Sequence, residues 1–364
     1  GIQDLALIYQ GGSHRLDWTV DEFRPYVVHR FADGSKDWLF DGFLFLEFKD
    51  GSGRNYTVGY EKLNARRTEW EWLLDRIFEQ GKSLSALDRC IGQEIKELGK
   101  PAFRHQIVLG LPEAIRGQKD WGEIDGREMD FSKEEDQIAA TKWYIGELVE
   151  RFKAAKYKHL ELSGFYWVAE DTHHCAELTI PLSEYIHSEG KLFYWIPYWQ
   201  AKGHEEWKRL GFDVAYQQPN HFFNHSIPDS RLDEACATAR RHGMAMEFEF
   251  DEKATAAIPN SSHDRMAAYI NHFEKNDVFN SSAVAYYCGN RGVLTLDESD
   301  NPKDKALMDR LARIIQARRY LKYGIPMKNK TRVVAHRGFW HTDGSAQNSI
   351  ASLLKADQLG VYGV

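Results

Sequence analysis

Between Ala245 and Asp251 the sequence reads AMEFEFD, an apolar run with an acid at every second position. A period of two is a strand pattern, and it puts Glu247, Glu249 and Asp251 on one face and Met246, Phe248 and Phe250 on the other. Three carboxylates on one strand face repel one another and need compensation: a wet edge, arginine partners, or a reaction that uses them. Cleavage of a glycosidic bond is such a reaction. It takes one carboxyl kept protonated to donate to the leaving oxygen and another kept ionised to attack or stabilise the anomeric carbon. A second acidic pair, Glu170-Asp171, follows the run GFYWVA and supplies a partner. Burial beside Tyr166 and Trp167 would raise the pKa of Glu170 and suit it to the acid role. The alternative without chemistry pairs Glu247 with an arginine inside the fold and lets Glu170 cap a helix.

The elements that must hold these groups follow from the periodicity. Strands are expected at Leu5–Tyr9, Trp38–Phe48 (interrupted at Asp41-Gly42), Arg104–Gly110, His159–Gly164, Lys191–Pro197, Phe212–Tyr216, Met244–Asp251 and Ala283–Tyr287. Helical spacing falls between them at Arg66–Glu79, Leu84–Leu98, Lys133–Ala154, Cys175–Ser188, Glu205–Leu210, Arg231–His242, Ser262–Asn276 and Asp304–Tyr323, with Gly81, Gly99, Gly211 and Gly243 as stops. Eight strands alternating with helices predict a (β/α)8 TIM barrel over residues 1–325, each strand feeding a right-handed crossover. No GxGxxG loop follows the first strand, which argues against a doubly wound dinucleotide-binding sheet. Residues 49–103 exceed one βα unit and should carry extra elements.

Composition narrows the function. The 364 residues carry a formal charge of -7, with acids and bases interspersed, so there is no basic face for nucleic acid. No run is long enough to span a membrane. The four cysteines, Cys90, Cys175, Cys236 and Cys288, show neither CxxC nor zinc spacing, and no metal or cofactor is called for. His173-His174 are adjacent on a loop and cannot easily face one ion. Of the eleven tryptophans, Trp70, Trp72 and Trp143 read as packing positions. Arg104, His105 and Gln106 read as a plug within the third strand.

In such a barrel the active site lies at the C-terminal ends of the strands. There the sequence gathers Tyr9, Gln10, Arg15, Trp18, Asp41, Glu113, Tyr166, Trp167, Glu170, Asp171, Tyr198, Trp199, Gln217, Gln218, Asn220, Glu247, Glu249, Asp251, Tyr287, Asn290 and Arg291. Amides and acids bond hydroxyls while Trp and Tyr faces cover the C–H side of a sugar ring. The expected ligand is a carbohydrate. The expected catalytic pair is Glu170 and Glu249, with Arg15, Asp41, Tyr166, Trp167, Trp199, Gln218, Asn220, Glu247, Asp251 and Tyr287 binding substrate.

YQGG at Tyr9, WLFDGFLFL at Trp38, GFYW at Gly164, QPN at Gln218 and the acidic seventh strand resemble a bacterial family described as a domain of unknown function (4855). More broadly the chain resembles TIM-barrel glycoside hydrolases. In their largest clan the acid/base follows strand four and the nucleophile strand seven, which by strand count are Glu170 and Glu249. The clan's Asn-Glu pair is Ala169-Glu170 here. The resemblance implies a retaining reaction and a secreted or periplasmic protein. The chain begins at Gly1 and enters a strand almost at once, as a mature or trimmed chain would.

A tail, residues 326–364, starts another βα pattern with a strand at Thr331–Gly338 and a helix at Asn348–Gly360. His336-Arg337-Gly338 resembles the start of the glycerophosphodiester phosphodiesterase family, whose Glu-Asn pair is Gln347-Asn348 here. That resemblance implies a metal-dependent phosphodiesterase as the alternative function, with its metal-binding carboxylate replaced. A barrel that binds glycans without cleaving them is the other alternative. One βα unit cannot bury its own apolar face, so the tail should form no complete domain.

Overall fold

A computed structural model describes residues 1–173, 175–326, 333–342, 344–359 and 361–364. The chain divides into two compact units, Gly1–Arg319 and Tyr320–Val364.

The first unit is a closed barrel of eight parallel strands in sequence order. They are β1 (Asp4–Tyr9), β2 (Gly42–Leu46), β3 (His105–Leu111), β4 (Leu160–Trp167), β5 (Leu192–Trp195), β6 (Val214–Gln217), β7 (Ala245–Glu249) and β8 (Val284–Tyr287). β8 closes on β1 through Asp4↔Val284. The period-two pattern sorts side chains as expected. Leu5, Leu7, Leu44, Leu46, Val108, Tyr194 and Tyr216 fill the interior. Ala6, Ile8, Phe43, Phe45, Ile107, Leu109, Met246 and Phe248 face outward to the helices.

One strand changes phase. Along β4 the pairing with β3 slips between Leu162↔Ile107 and Gly164↔Val108, leaving Ser163 as an extra residue. Leu160 and Leu162 point outward before this bulge, Phe165 and Trp167 after it, and Tyr166 and Val168 turn inward. Gly164 is required there, since a Cβ would lie 2.0 Å from the carbonyl oxygen of Leu192 on β5.

Helices Arg67–Ile77, Ser83–Leu98, Glu134–Ala155, Ala176–Ser188, Ser230–His242, His263–Lys275 and Pro302–Tyr323 match the expected series. After β5 there is only a short turn, His204–Glu206, where a helix over Glu205–Leu210 is expected. Six residues ahead of Gly211 are too few to repay nucleation. The β1–β2 connection holds a helix, Val20–Val27, and a hairpin, Val28–Arg30 with Lys36–Trp38, neither legible beforehand. Pro25 inside the helix masks its pattern. Residues 49–103 do carry extra structure, a small pairing of Arg54–Asn55 with Leu63–Asn64 and two helices. Of the three residues read as a plug, Gln106 shares the inward phase of Val108 and bonds Glu161. Arg104 bonds the carbonyl oxygens of Lys158 and Leu160, and His105 faces outward against Trp38, Phe43 and Phe103.

In the second unit the helix is Ile350–Gln358, started by the Ser349 hydroxyl accepting from Ser352 N at 3.1 Å. Thr331, Arg332 and Gly360 lie outside the described residues. Of the expected strand Thr331–Gly338, the described part makes a single parallel bridge, Val334 to Gly363.

Candidate active site

The C-terminal ends of β1, β2, β4, β6, β7 and β8 surround a cavity of about 440 Å³. Its floor is Leu7 and Leu46. One wall is a run of rings in contact: Tyr60 stacks on Phe48 at 4.6 Å, Phe48 meets Tyr9 at 5.6 Å, Tyr9 meets Tyr287 at 5.5 Å, and Tyr287 meets Phe223 at 5.3 Å. Tyr60 and Phe223 form the rim, 43% and 50% exposed.

Opposite stand Glu170, Gln218, Asn220, Glu247 and Glu249. Glu247 and Glu249 share the inward face of β7, as the alternation requires. Glu170 Oε1 accepts from Gln218 Nε2 at 2.8 Å. The Gln218 carbonyl oxygen Oε1 accepts from Asn220 Nδ2 at 2.9 Å, and Asn220 Oδ1 accepts from the backbone N–H of Trp199 at 2.6 Å. The acid at the end of β4 is thus oriented by a relay of amides from the loops after β5 and β6. Glu249 Oε2 accepts from the Tyr269 hydroxyl and, at 3.1 Å, from His221 N. Arg265 fixes the loop that presents this N–H, donating to the carbonyl oxygens of His221, Phe222, Asn224 and Ile227. Glu247 is 2% exposed and accepts no hydrogen bond from a described residue.

Burial dominates the electrostatics. Desolvation pushes Glu170 above the ordinary carboxyl range, against the Gln218 amide. It pushes Glu249 up to about 7, against the donors Tyr269 and His221 and with the charge of Glu170. Glu247 is driven well above its usual value by burial first, then by Glu249 and Glu170. Among the described residues none of the three forms an ion pair, and Glu247 has no arginine partner there, unlike the expected alternative. The cavity's cations have carboxylates of their own. Arg15 lies 4.6 Å over the Tyr9 ring and is held by Glu47 through Nε at 2.9 Å and Nη2 at 3.0 Å, and Lys49 reaches Glu61 at 3.4 Å.

A profile of the family described as "Domain of unknown function (DUF4855)" matches residues 4–313. The chain belongs to the DUF4855 family. No curated protein matches it. Among solved structures it is similar to a candidate alpha-L-fucosidase from Bacteroides thetaiotaomicron, with 13% identity over 87% of this chain and 94% of that one and a TM-score of 0.44. It is similar also to tryptophan synthase alpha subunits. That of Pyrococcus furiosus shares 9% identity over 86% of this chain and 98% of its own at a TM-score of 0.39, and that of Legionella pneumophila 11% over 87% and 93% at 0.40.

In this DUF4855 barrel the cavity brings together Arg15, Tyr166, Glu170, Gln218, Asn220, Glu247, Glu249 and Tyr287 of the expected residues. Four others lie elsewhere. Asp41 precedes β2 and sits at the opposite end of the barrel, accepting from the backbone N–H of Gln3 and, at 2.8 Å, of Asp4. Trp167 faces outward, 6.1 Å from Phe193, because the bulge at Ser163 exchanges its direction with that of Tyr166. Trp199 lies outside the cavity with the Arg231 guanidinium 4.7 Å over its ring. Asp251 caps the turn Glu252–Ala254 through Lys253 N at 2.7 Å.

The cavity also uses residues that pattern reading missed. Phe48 and Lys49 follow β2 directly, and Glu47 stands behind Arg15; the run FLFLEFK would have shown them once the strand was ended at Leu46. Tyr60 and Phe223 sit on loops without a periodic signal, and Tyr269 reaches Glu249 from the helix behind β7. Among the described residues no group of three or more His, Cys, Asp or Glu could hold a metal ion, and no helix is long and apolar enough to cross a membrane. His174 lies outside the described residues.

Proposed function

We propose that this protein is a glycoside hydrolase acting on an oligosaccharide or polysaccharide, with Glu170 as acid/base and Glu249 as nucleophile. The observation that carries the reading is that carboxyls from the ends of β4 and β7 line one ring-walled cavity without ion pairs to any described residue. Each has one oxygen tied to a neutral donor. Burying unpaired carboxyls costs stability, and such groups with raised pKa values in a cleft are typical of acid–base catalysis.

Under this reading Glu170 gives its proton to the glycosidic oxygen as the bond to the anomeric carbon breaks. The free oxygen of Glu249 forms a bond to that carbon. A water then gives its proton to Glu170 and its hydroxyl to the anomeric carbon, releasing Glu249 and restoring both groups. Tyr269 and the His221 N–H stabilise the charge on Glu249, working against the burial that raises its pKa to about 7. Glu247, whose burial favours the protonated form and which accepts no hydrogen bond from a described residue, lines the cavity and would donate to a substrate hydroxyl there. A retaining outcome requires the two carboxyls to work roughly 5 to 5.5 Å apart.

The test is a screen of oligosaccharides for released reducing ends, followed by Glu249→Ala with added azide. A glycosyl azide of inverted configuration is the expected product. Full activity of Glu249→Gln would remove Glu249 from the role. A polysaccharide substrate would be met outside the cytoplasm, so the reading includes a secreted or periplasmic location, which cell fractionation would check.

A further inference from the structure

We propose that the sugar held between Glu170 and Glu249 carries a free amino group, and that Glu247 is the residue that recognises it. The inference rests on the hydrolase reading above and names its substrate class. Glu247 lines the cavity at 2% exposure and accepts no hydrogen bond from a described residue. It lies two positions before Glu249 on the inward face of β7, and such positions are roughly 6.6 Å apart along a strand. That is about the span of one sugar ring. A ring whose anomeric carbon meets Glu249 therefore presents another of its substituents to Glu247.

The charges around Glu247 decide what that substituent is. Its pKa is raised by burial, then by Glu249 and Glu170, and among the described residues no arginine or lysine acts on it. Arg15 and Lys49 also line the cavity, but each is held by a carboxylate of its own, Glu47 at 2.9 Å and Glu61 at 3.4 Å. A sugar hydroxyl returns one neutral hydrogen bond to the protonated acid. An ammonium returns more, because a positive charge beside a buried carboxyl favours its ionised form, and the resulting charged bond is roughly twice as strong as a neutral one. The surroundings suit a cation as well. Burial first, and then neighbours that include Glu247, raises the hydroxyl pKa of Tyr9, Tyr166 and Tyr287, which places three tyrosine rings around that carboxyl. An aromatic face attracts a cation. Among the described residues no group of three or more His, Cys, Asp or Glu could hold a metal ion, so the charge is one that the organic ligand brings. On a sugar the group that supplies it is an unacetylated amine.

The test compares each amino-sugar oligomer with its own N-acetylated form, which keeps the sugar and removes the charge. The probes are oligomers of glucosamine and of galactosamine in α- and β-linkage, with malto- and cello-oligosaccharides as neutral references. Calorimetry at pH 6 uses Glu249→Gln, which blocks turnover and leaves Glu247 in place. The free amines should bind about tenfold or more tightly than the N-acetylated forms. The heat should change with the ionisation heat of the buffer, reporting up to one proton released by Glu247 for each ligand bound. Adding Glu247→Gln should bring the preference close to one and abolish the release, whereas Glu247→Asp, which keeps the charge, should retain part of both. Each variant is first checked for a cooperative melt. N-acetylated or neutral oligosaccharides bound as tightly as the amines, a preference that survives Glu247→Gln, or binding of no probe at millimolar concentration would overturn the inference. Wild-type hydrolysis of neutral oligosaccharides in those cases leaves the hydrolase reading standing. An amine preference that depends on Glu247, with no probe turned over by the wild type, removes the hydrolase reading and leaves the recognition of the amine.

Discussion

The side-chain amide of Gln218 donates to Glu170 Oε1 at 2.8 Å and to the carbonyl oxygen of Ile196 at 2.9 Å, so a single NH2 group ties the acid at the end of β4 to the backbone beyond β5. The bond favours the ionised form of Glu170 and lowers a pKa that burial raises. Gln218→Leu removes it. The alkaline limb of the kcat/KM profile should then move to higher pH, because the acid holds its proton longer, while kcat falls about tenfold from lost orientation. A pH–rate profile checks both, and an unmoved alkaline limb would mean that another group donates the proton.

Tyr269 plays the converse part for Glu249. Its hydroxyl stabilises the carboxylate, whose pKa is nonetheless about 7 through burial. Without that donor the value must rise. Tyr269→Phe should shift the acidic limb of activity to higher pH and leave the alkaline limb in place. A profile that shifts at neither limb would place the nucleophilic charge on another residue.

Glu247 links the site to stability. Its folded-state pKa lies well above the ordinary carboxyl value, so the folded chain keeps a proton that the unfolded chain has released. Raising the pH from that ordinary value upward therefore favours unfolding, and below it the penalty is absent. Glu247→Gln should match the wild type in Tm at pH 4 and exceed it at pH 8, by roughly 2–4 °C for each kcal/mol relieved. Thermal melts at the two pH values decide it. A variant less stable at pH 8 would show that Glu247 has a favourable partner.

Gly164→Ala should be tolerated poorly. The added methyl would meet the Leu192 carbonyl oxygen at 2.0 Å, where backbone rather than a flexible side chain must move. A loss of about 1–3 kcal/mol is expected from overpacking alone. Chemical denaturation measures it, and a neutral result would mean that β4 and β5 separate easily.

The barrel was legible because its strands are apolar runs with period two and its helices are amphipathic with glycine stops. The acidic face of β7 was legible for the same reason: the phase of Met246 and Phe248 fixes that of Glu247 and Glu249. Trp167 was not. Counting in twos from Leu162 sends Trp167 inward, and only the pairing with β3 reveals that Ser163 is an extra residue. Asp41 was misplaced because Trp38–Phe48 reads as one strand, although Trp38 belongs to a hairpin and β2 starts at Gly42. Tyr60, Phe223 and Tyr269 reach the cavity by loop path and helix rotation, which no local pattern encodes.

None of the eleven tryptophans lines the cavity beside Glu170, although Trp167 is close to that residue in sequence. The rings a sugar would cover are tyrosine and phenylalanine. Indole emission, the usual optical reporter of a sugar settling on a protein, will be nearly silent here. A flat fluorescence titration would then coexist with a clear calorimetric heat, and a fluorescence screen for ligands would pass over true ones.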